Sequence, residues 1–522
     1  MRDLIPMITC AAVVLVASLS ALLAARGASG RSRAEGGVGG GIEDWALAGR
    51  GYGGVLMCCL LGGTVYTAYT FMAVPGAIFS SGGIGFYALP YTIVICAIAF
   101  VLLPPLASIA RSHGYVTVAD FVRGRYGSPL LSLAVSLTGI FATMPYVALQ
   151  LLGIRAVLGA LGLYPRGFLG DAALTAVFAV LAVSTFRHGL RAPTRVAVVK
   201  AVLVVISTIV IAMLITAELG SPATVFARAE AVSGPPLVLA PGLGPAYVSL
   251  ALGSALALFA FPHVLLVVFS ARGSDTLRRT SINLLGWTTA LGAFALFGVA
   301  AIASAVDPPP GRAELAIPLL VRGLAPDWLT GLLLGALVVT ALVPAAVMSI
   351  GAATLFARNV YVEFVNPVAT AAQETRMAKL MSLFVKVGAL AFALSLRDQA
   401  AINLHLLGAV WVLQTLPAIT LGLLRRAPHH LSLLMGWLLG MVIGTALVHA
   451  GGFSPVVPLD IGPVHVQLYA GVVGLAVNLV AVAVTSPLLD RLRVPRGLAT
   501  VVRVARARST ATGAGIDDGV RS

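Results

Sequence analysis

Apolar runs separated by short polar stretches recur along the whole chain. Thirteen are read, at residues 5–25, 51–80, 86–106, 128–161, 168–186, 192–218, 244–270, 282–306, 328–357, 377–396, 400–424, 430–449 and 465–489. A helix crossing a bilayer takes ~20 predominantly apolar residues, so each run predicts one spanning helix. The polar stretches predict loops, among them RSHGYVTVADFVRGRYG at residues 111–127. AELAIPLLVRGL, inside the loop at 307–327, predicts a short interfacial helix.

One run departs from the rest. Residues 61–77 read LGGTVYTAYTFMAVPGA, with a glycine pair, three threonines, two tyrosines and Pro-Gly. Hydrocarbon offers backbone groups no partner, so weakened helix at that depth occurs where it is buried in protein or lines a polar cavity. Broken helices in transporters present carbonyls to cations and N–H groups to anions. The plainer alternative is a tightly packed helix whose small residues form a contact surface. Residues 244–270 carry a second interruption, FAFPHV. If the first run is set aside, the next ten divide into five and five. The two interrupted runs then open each half, with Pro75 and Pro262 at membrane depth. That is the pattern of an inverted-repeat transporter.

Composition narrows the class. Apolar residues make up 59 % and charged residues 10 %, against ~25 % charged in soluble domains. The mean hydropathy is +0.99. The net charge of +15 is an orientation signal. Arginines and lysines crowd the loops that follow odd-numbered runs, and the opposite loops hold few. By the positive-inside rule the N-terminus lies outside and the C-terminus in the cytoplasm, with anionic lipid as the partner of the basic loops. The tail lacks the aromatic interleaving of a nucleic-acid binder. Cys10, Cys58, Cys59 and Cys96 all fall in apolar runs without metal spacing and read as buried, reduced thiols. No phosphate-cradling loop, zinc spacing or nucleophile elbow is present, so nothing points to an enzyme.

Many stretches, in order, resemble a known family. They include LGGTVYTAYTFMAVP, HGYVTVADFVRGRYGS, ATMPYVALQLLG, GLRAPTRVAVVK, MSIGAATLFARNVYVEF and AINLHLLGAVWVLQTLPAITLGL. The chain is similar to the sodium:solute symporter family over residues 44–489, and within it to the monocarboxylate transport permeases. The resemblance implies an all-α polytopic fold of about thirteen transmembrane helices. Its core is a LeuT-type five-plus-five inverted repeat, with one extra N-terminal and two extra C-terminal helices. The expected division is 1–50 (first helix and basic loop), 51–219 and 220–424 (the two repeats), 425–489 (two further helices) and 490–522 (a basic, disordered tail). The implied activity is uptake of short monocarboxylates such as pyruvate, lactate or acetate, coupled to Na+, in the cell membrane of a bacterium.

The resemblance also implies a sodium site. It joins carbonyls near Gly63 and Tyr66 to Ala346 and Ser349 of the span at 328–357. Thr64 stands where the subgroup has Asp, and Ile350 where the wider family often has Ser or Thr. No resident cofactor is implied. A carboxylate cargo needs donors: freed N–H groups just after Gly63 or around Phe261 to His263, with Thr67, Thr70, Tyr146, Gln150, His263, Trp411 and Gln414 as the candidate residues. Tyr146/Gln150 and Trp411/Gln414 each share a helix face. No Asp or Glu sits mid-span. His263 is the one mid-span titratable group of interest, either a neutral imidazole bonded to a neighbouring helix or a proton shuttle. His405 and Lys386 read as nearer helix ends, and Lys200 as a snorkelling residue or an inner-gate ion pair. Arg155 reads as a snorkelled outer-end residue. Proton coupling is the runner-up within transport. A non-transporting sensor is the alternative class.

Overall fold

The computed structural model describes residues 4–34, 41–162, 186–232, 234–395 and 401–497. The expected span at 168–186 and the tail beyond 497 lie outside the described residues. The main helices, in order, are α1 (Leu4–Ala34), α2 (Gly54–Val65), α3 (Val74–Ser81), α4 (Ala88–Ser112), α5 (Val118–Tyr126), α6 (Pro129–Ala160), α7 (Arg191–Leu219), α8 (Gly244–Ala260), α9 (Pro262–Phe269) and α10 (Ser274–Ala303). They continue with α11 (Ala316–Leu324), α12 (Asp327–Phe356), α13 (Ala371–Ser395), α14 (Ala401–Val412), α15 (His430–Ala450) and, after a hairpin, α16 (Ala470–Arg491). Among the described residues nine helices are long and apolar enough to cross a membrane, and ten when the bent pair α8–α9 counts as one span.

Two helices show how sequence sets position. The most apolar window of the α12 span is 100% buried, whereas that of α7 is 28% buried. Small residues allow this in α12: α1 lies directly on Gly331 and Gly335, through Pro6, Thr9, Cys10 and Val13. The aliphatic row of α7 (Val202, Val205, Ile206, Ile209, Met213) instead stays exposed, as a lipid-facing surface does. The last two helices, α15 and α16, pack along each other and against α14.

The interruptions fall where two helices break. α2 ends at Tyr66, whose backbone is extended (φ −92°, ψ 103°), and a π-helical turn at Tyr69–Ala73 leads into α3. The first break therefore lies at residues 66–68, ahead of Pro75, which sits inside the first turn of α3. In the second, Phe261 is extended (φ −63°, ψ 132°), and α8 and α9 diverge by 50°. Pro262 is tolerated there because the first helical turn has no intrahelical N–H partner to lose.

The loops hold more structure than their polarity suggests. Residues 111–127 contain α5, opened by a capping box between Thr117 and Asp120, which secures two otherwise orphaned donors. Asp120 also accepts from Asn359 and Arg358, and Arg123 pairs with Glu363. Two of the quoted motifs are thus one joint between α5 and the end of α12. AELAIPLLVRGL forms a short turn and α11, but Ile317, Leu320 and Val321 are buried, so it is an inserted element and not an interfacial one. The final span begins at Ala470 and not at 465. Residues 456–469 form an antiparallel hairpin, β1 (Val456–Ile461) and β2 (Val464–Tyr469), with Val456 opposite Tyr469 and Gly462 in the turn at φ +62°. All four cysteines are free. Cys10 and Cys96 are buried, while Cys58 and Cys59 are only half-buried.

Candidate functional site

The first break leaves backbone groups without helical partners, and neighbouring helices supply them. Gln150 of α6 accepts from the Ala68 N–H through Oε1 at 3.1 Å and donates to Thr67 Oγ1 at 3.3 Å. Thr67 in turn accepts from the Tyr69 N–H at 3.0 Å. On the other side of the break, Lys200 of α7 donates to the carbonyls of Gly63 (2.7 Å), Tyr66 (2.6 Å) and Thr340 (2.8 Å). Its Nζ is about 6 Å from the Phe71 ring centroid. The approach depends on the glycine pair. A Cβ at Gly63 would lie 3.3 Å from the Ala197 Cβ, and one at Gly62 would enter the Trp287 indole. Lys200 is fully buried. It does not snorkel and forms no ion pair among the described residues, contrary to both sequence readings.

The second break faces the first across a group of rings. Tyr146 of α6 packs on Phe261 (5.1 Å between centroids), His263 (5.5 Å) and His405 of α14 (4.5 Å). His405 also meets Tyr69 of the first break at 4.7 Å. Both imidazoles are wholly buried. Among the described residues neither ring nitrogen of either histidine has a hydrogen-bond partner, and Thr70 Oγ1 and the Tyr146 hydroxyl, which lies beside Thr67, have none either. Buried polar atoms are nearly always paired, so a concentration of unpaired ones across two breaks marks a place suited to a polar guest. The N-terminus of α9 adds the positive end of its dipole. His263 is thus not the imidazole bonded to a neighbouring helix that its position suggested.

The chain closes this place at both ends. At the basic end, Tyr52 bridges to Ala271. Arg111 donates to the carbonyls of Arg50 and Ala271, and Arg50 to that of Tyr115. These contacts join the start of the first broken span to the end of the second. At the opposite end, Tyr69 donates to Tyr87 at 3.0 Å. There a Cβ on Gly76 would come within 2.7 Å of the Ala313 carbonyl, so the segment leading into α11 presses on α3. Glu314 beside it lies 3.6 Å from Arg155. Burial pushes its carboxyl up despite the two nearby guanidiniums. Arg155 is buried against this carboxylate, so it is not snorkelled.

The remaining sequence candidates lie elsewhere. Gln414 bonds to the Val410 and Gly471 carbonyls and meets Asn478, inside the seam between α14 and the pair α15–α16. Trp411 donates to Thr445 of α15. Neither belongs to the ring cluster. Ser349 donates to the Ala345 carbonyl of its own helix at 2.6 Å, and Thr64 to that of Leu60. Ala346 is buried in α12. Sequence reasoning passed over His405 and the actual partners of Lys200. A signal existed for the lysine, since it stands nine residues inside α7, roughly 13 Å along the axis from Arg191.

The sodium:solute symporter family model matches residues 45–444. The chain belongs to the sodium:solute symporter family. It is 43% identical over 453 residues to a monocarboxylate transport permease protein of Rhizobium johnstonii, covering 86% of this chain and 91% of that protein. It is 29% identical over 492 residues to an uncharacterized symporter of Bacillus subtilis, covering 93% and 94%. Among solved structures it resembles a substrate-bound, outward-open Na+-coupled sialic acid symporter, with a TM-score of 0.75 at 15% identity over 94% of this chain and 98% of that one. A second is Mhp1, a nucleobase-cation-symport-1 family transporter, at TM-score 0.51 and 13% identity over 84% and 92%. The fold is the LeuT type shared by such cation symporters. This family member is a multi-pass membrane transporter for a small solute and a coupling cation, not an enzyme.

Proposed function

We propose that this symporter takes up a short monocarboxylate, of the pyruvate, lactate or acetate class, across the bacterial cell membrane. The observation that carries the reading is the set of unpartnered buried groups at His263, His405, Thr70 and Tyr146. An imidazole N–H or a hydroxyl donates to a carboxylate. The aromatic walls of Tyr69, Tyr146 and Phe261 suit a small apolar body. The 43% identical permease supports the same cargo class. The site is closed at both ends, so release requires one closure to open, as alternating access around broken helices demands. The basic loops support a cytoplasmic position for α5 and the Arg50–Arg111 contacts.

Counterflow in proteoliposomes, with labelled pyruvate outside and unlabelled inside, tests the cargo without any ion gradient. Exchange that competes with lactate and acetate, and has a lower solute affinity in His405→Ala, supports the reading. Exchange of a different solute class, with monocarboxylates inert, overturns it.

A further inference from the structure

Membership in this family implies a sodium ion held by backbone carbonyls and hydroxyls, and the donor set here does not fit one. Two carbonyls that would turn toward the ion, those of Gly63 and Tyr66, already accept from Lys200 Nζ, and the Thr340 carbonyl takes the third N–H. An ammonium has three donors and no acceptor, so Lys200 is saturated and its charge stands where a metal ion would. The hydroxyl of Ser349 is directed to Ala345 and that of Thr64 to Leu60. Ile350, next to Ser349, is buried and apolar.

Among the described residues no anionic side chain offsets a second cation. Tyr66 turns its phenol to Thr288 and the Leu284 carbonyl. The other described ionisable side chains on α1, α2, α10 and α12 are thiols (Cys10, Cys58, Cys59) or lie toward helix ends (Asp275, Arg278, Arg279, Asp327), as do Arg191, Arg195 and Glu218 of α7 itself, and none of these is a partner of the ammonium. Groups of three or more His, Cys, Asp or Glu able to hold a metal are absent among the described residues.

We propose that Lys200 is a cation built into the chain that replaces sodium at this corner, so that the protein joins α2, α7 and α12 without binding Na+ there. The ammonium makes the contacts through which a diffusible ion would link the broken helix to its neighbours, and it repels such an ion from the same carbonyls. The inference concerns the ion alone and does not depend on the cargo.

The decisive measurement is thermal unfolding of the purified full-length chain, without solute, in NaCl and in KCl at equal ionic strength. The wild-type chain is expected to melt at the same temperature in both. Lys200→Ala frees the carbonyls. It is expected to melt several degrees lower and to recover in NaCl but not in KCl, with a shift that grows with the logarithm of sodium concentration. Lys200→Arg keeps a fixed charge and is expected to remain indifferent to sodium. If Lys200→Ala does not fold, radioactive sodium binding to the wild-type chain decides the matter, with no saturable binding expected. Sodium-specific stabilisation of the wild-type chain, or saturable sodium binding to it, overturns the proposal. In proteoliposomes, solute uptake by the wild-type chain under an inward proton gradient in sodium-free buffer supports it, and uptake that requires a sodium gradient counts against it.

Discussion

The two breaks solve the same backbone problem in opposite ways. At the first, freed backbone groups are met from inside the protein: Gln150 accepts from the Ala68 N–H, and Lys200 donates to the Gly63 and Tyr66 carbonyls. Facing the second, side chains are carried into the core without partners among the described residues, as the ring nitrogens of His263 and, from α14, of His405 show, with Thr70 Oγ1 of the first broken span beside them. A buried hydrogen bond contributes little net, but an unmade one costs its full desolvation. The paired backbone of the first break is therefore a structural joint, and the unpaired cluster between the breaks is where a guest stabilises the protein most. Tyr146 and Thr67 lie between the two and couple them.

That contrast can be broken by substitution. The largest effect is expected at the unsatisfied side. His405→Ala removes a donor to a charged guest, worth ~1.5–3 kcal/mol, so solute affinity in counterflow should fall about tenfold to a hundredfold with little loss of fold. An unchanged affinity would detach the histidines from the cargo. Gln150→Ala comes next. It strands the Ala68 N–H, costing roughly 1–3 kcal/mol, and should lower the melting temperature. Gln150→Glu keeps the acceptor and should recover part of that loss. Equal damage from both would mean the glutamine works by shape rather than by its carbonyl.

Smaller effects are expected away from both breaks. Gln414→Ala should cost about 1 kcal/mol of stability through the lost seam with Asn478 and Gly471, with solute affinity unchanged. A fall in affinity without a fall in stability would return Gln414 to the site. Ser349→Ala is expected to do least. Its hydroxyl bonds within its own turn, a contact of little consequence in a helix, so uptake should keep the same ion dependence within about twofold. A selective change in sodium response would reinstate the hydroxyl as a ligand.

Much of the fold was legible because it follows from local pattern. Apolar run length marks spans, and Gly-Gly, Thr and Pro in residues 61–77 and at Pro262 mark weakness. The hairpin at Val456–Tyr469 was not legible, because its alternating Val and Leu merge into the apolar run behind them. α11 was missed as a buried element for a similar reason: a nine-residue amphipathic stretch does not reveal whether lipid headgroups or Gly76 will cover it.

The candidate site divides along the same line. Thr70, Tyr146 and His263 could be named from sequence because each is a polar residue in, or beside, a broken or apolar span. Trp411 and Gln414 were paired by helix periodicity, which says that two residues share a face and not which neighbour that face meets. In the fold that neighbour is α15 and α16. His405 reads as an end-of-helix residue until Tyr69, Tyr146 and Phe261 close around it.

The sequence by itself determined the class of molecule and the two weak points, since hydrocarbon imposes the same length and the same backbone penalty wherever a chain crosses it. Only the tertiary structure decided what meets those weak points. The carbonyls of Gly63 and Tyr66 belong to one helix, Lys200 to another and Thr340 to a third. No local rule states that an ammonium from α7 arrives where the family leads one to expect a metal ion. That outcome depends on how closely the helices pack at Gly62 and Gly63, which is a property of the assembled core.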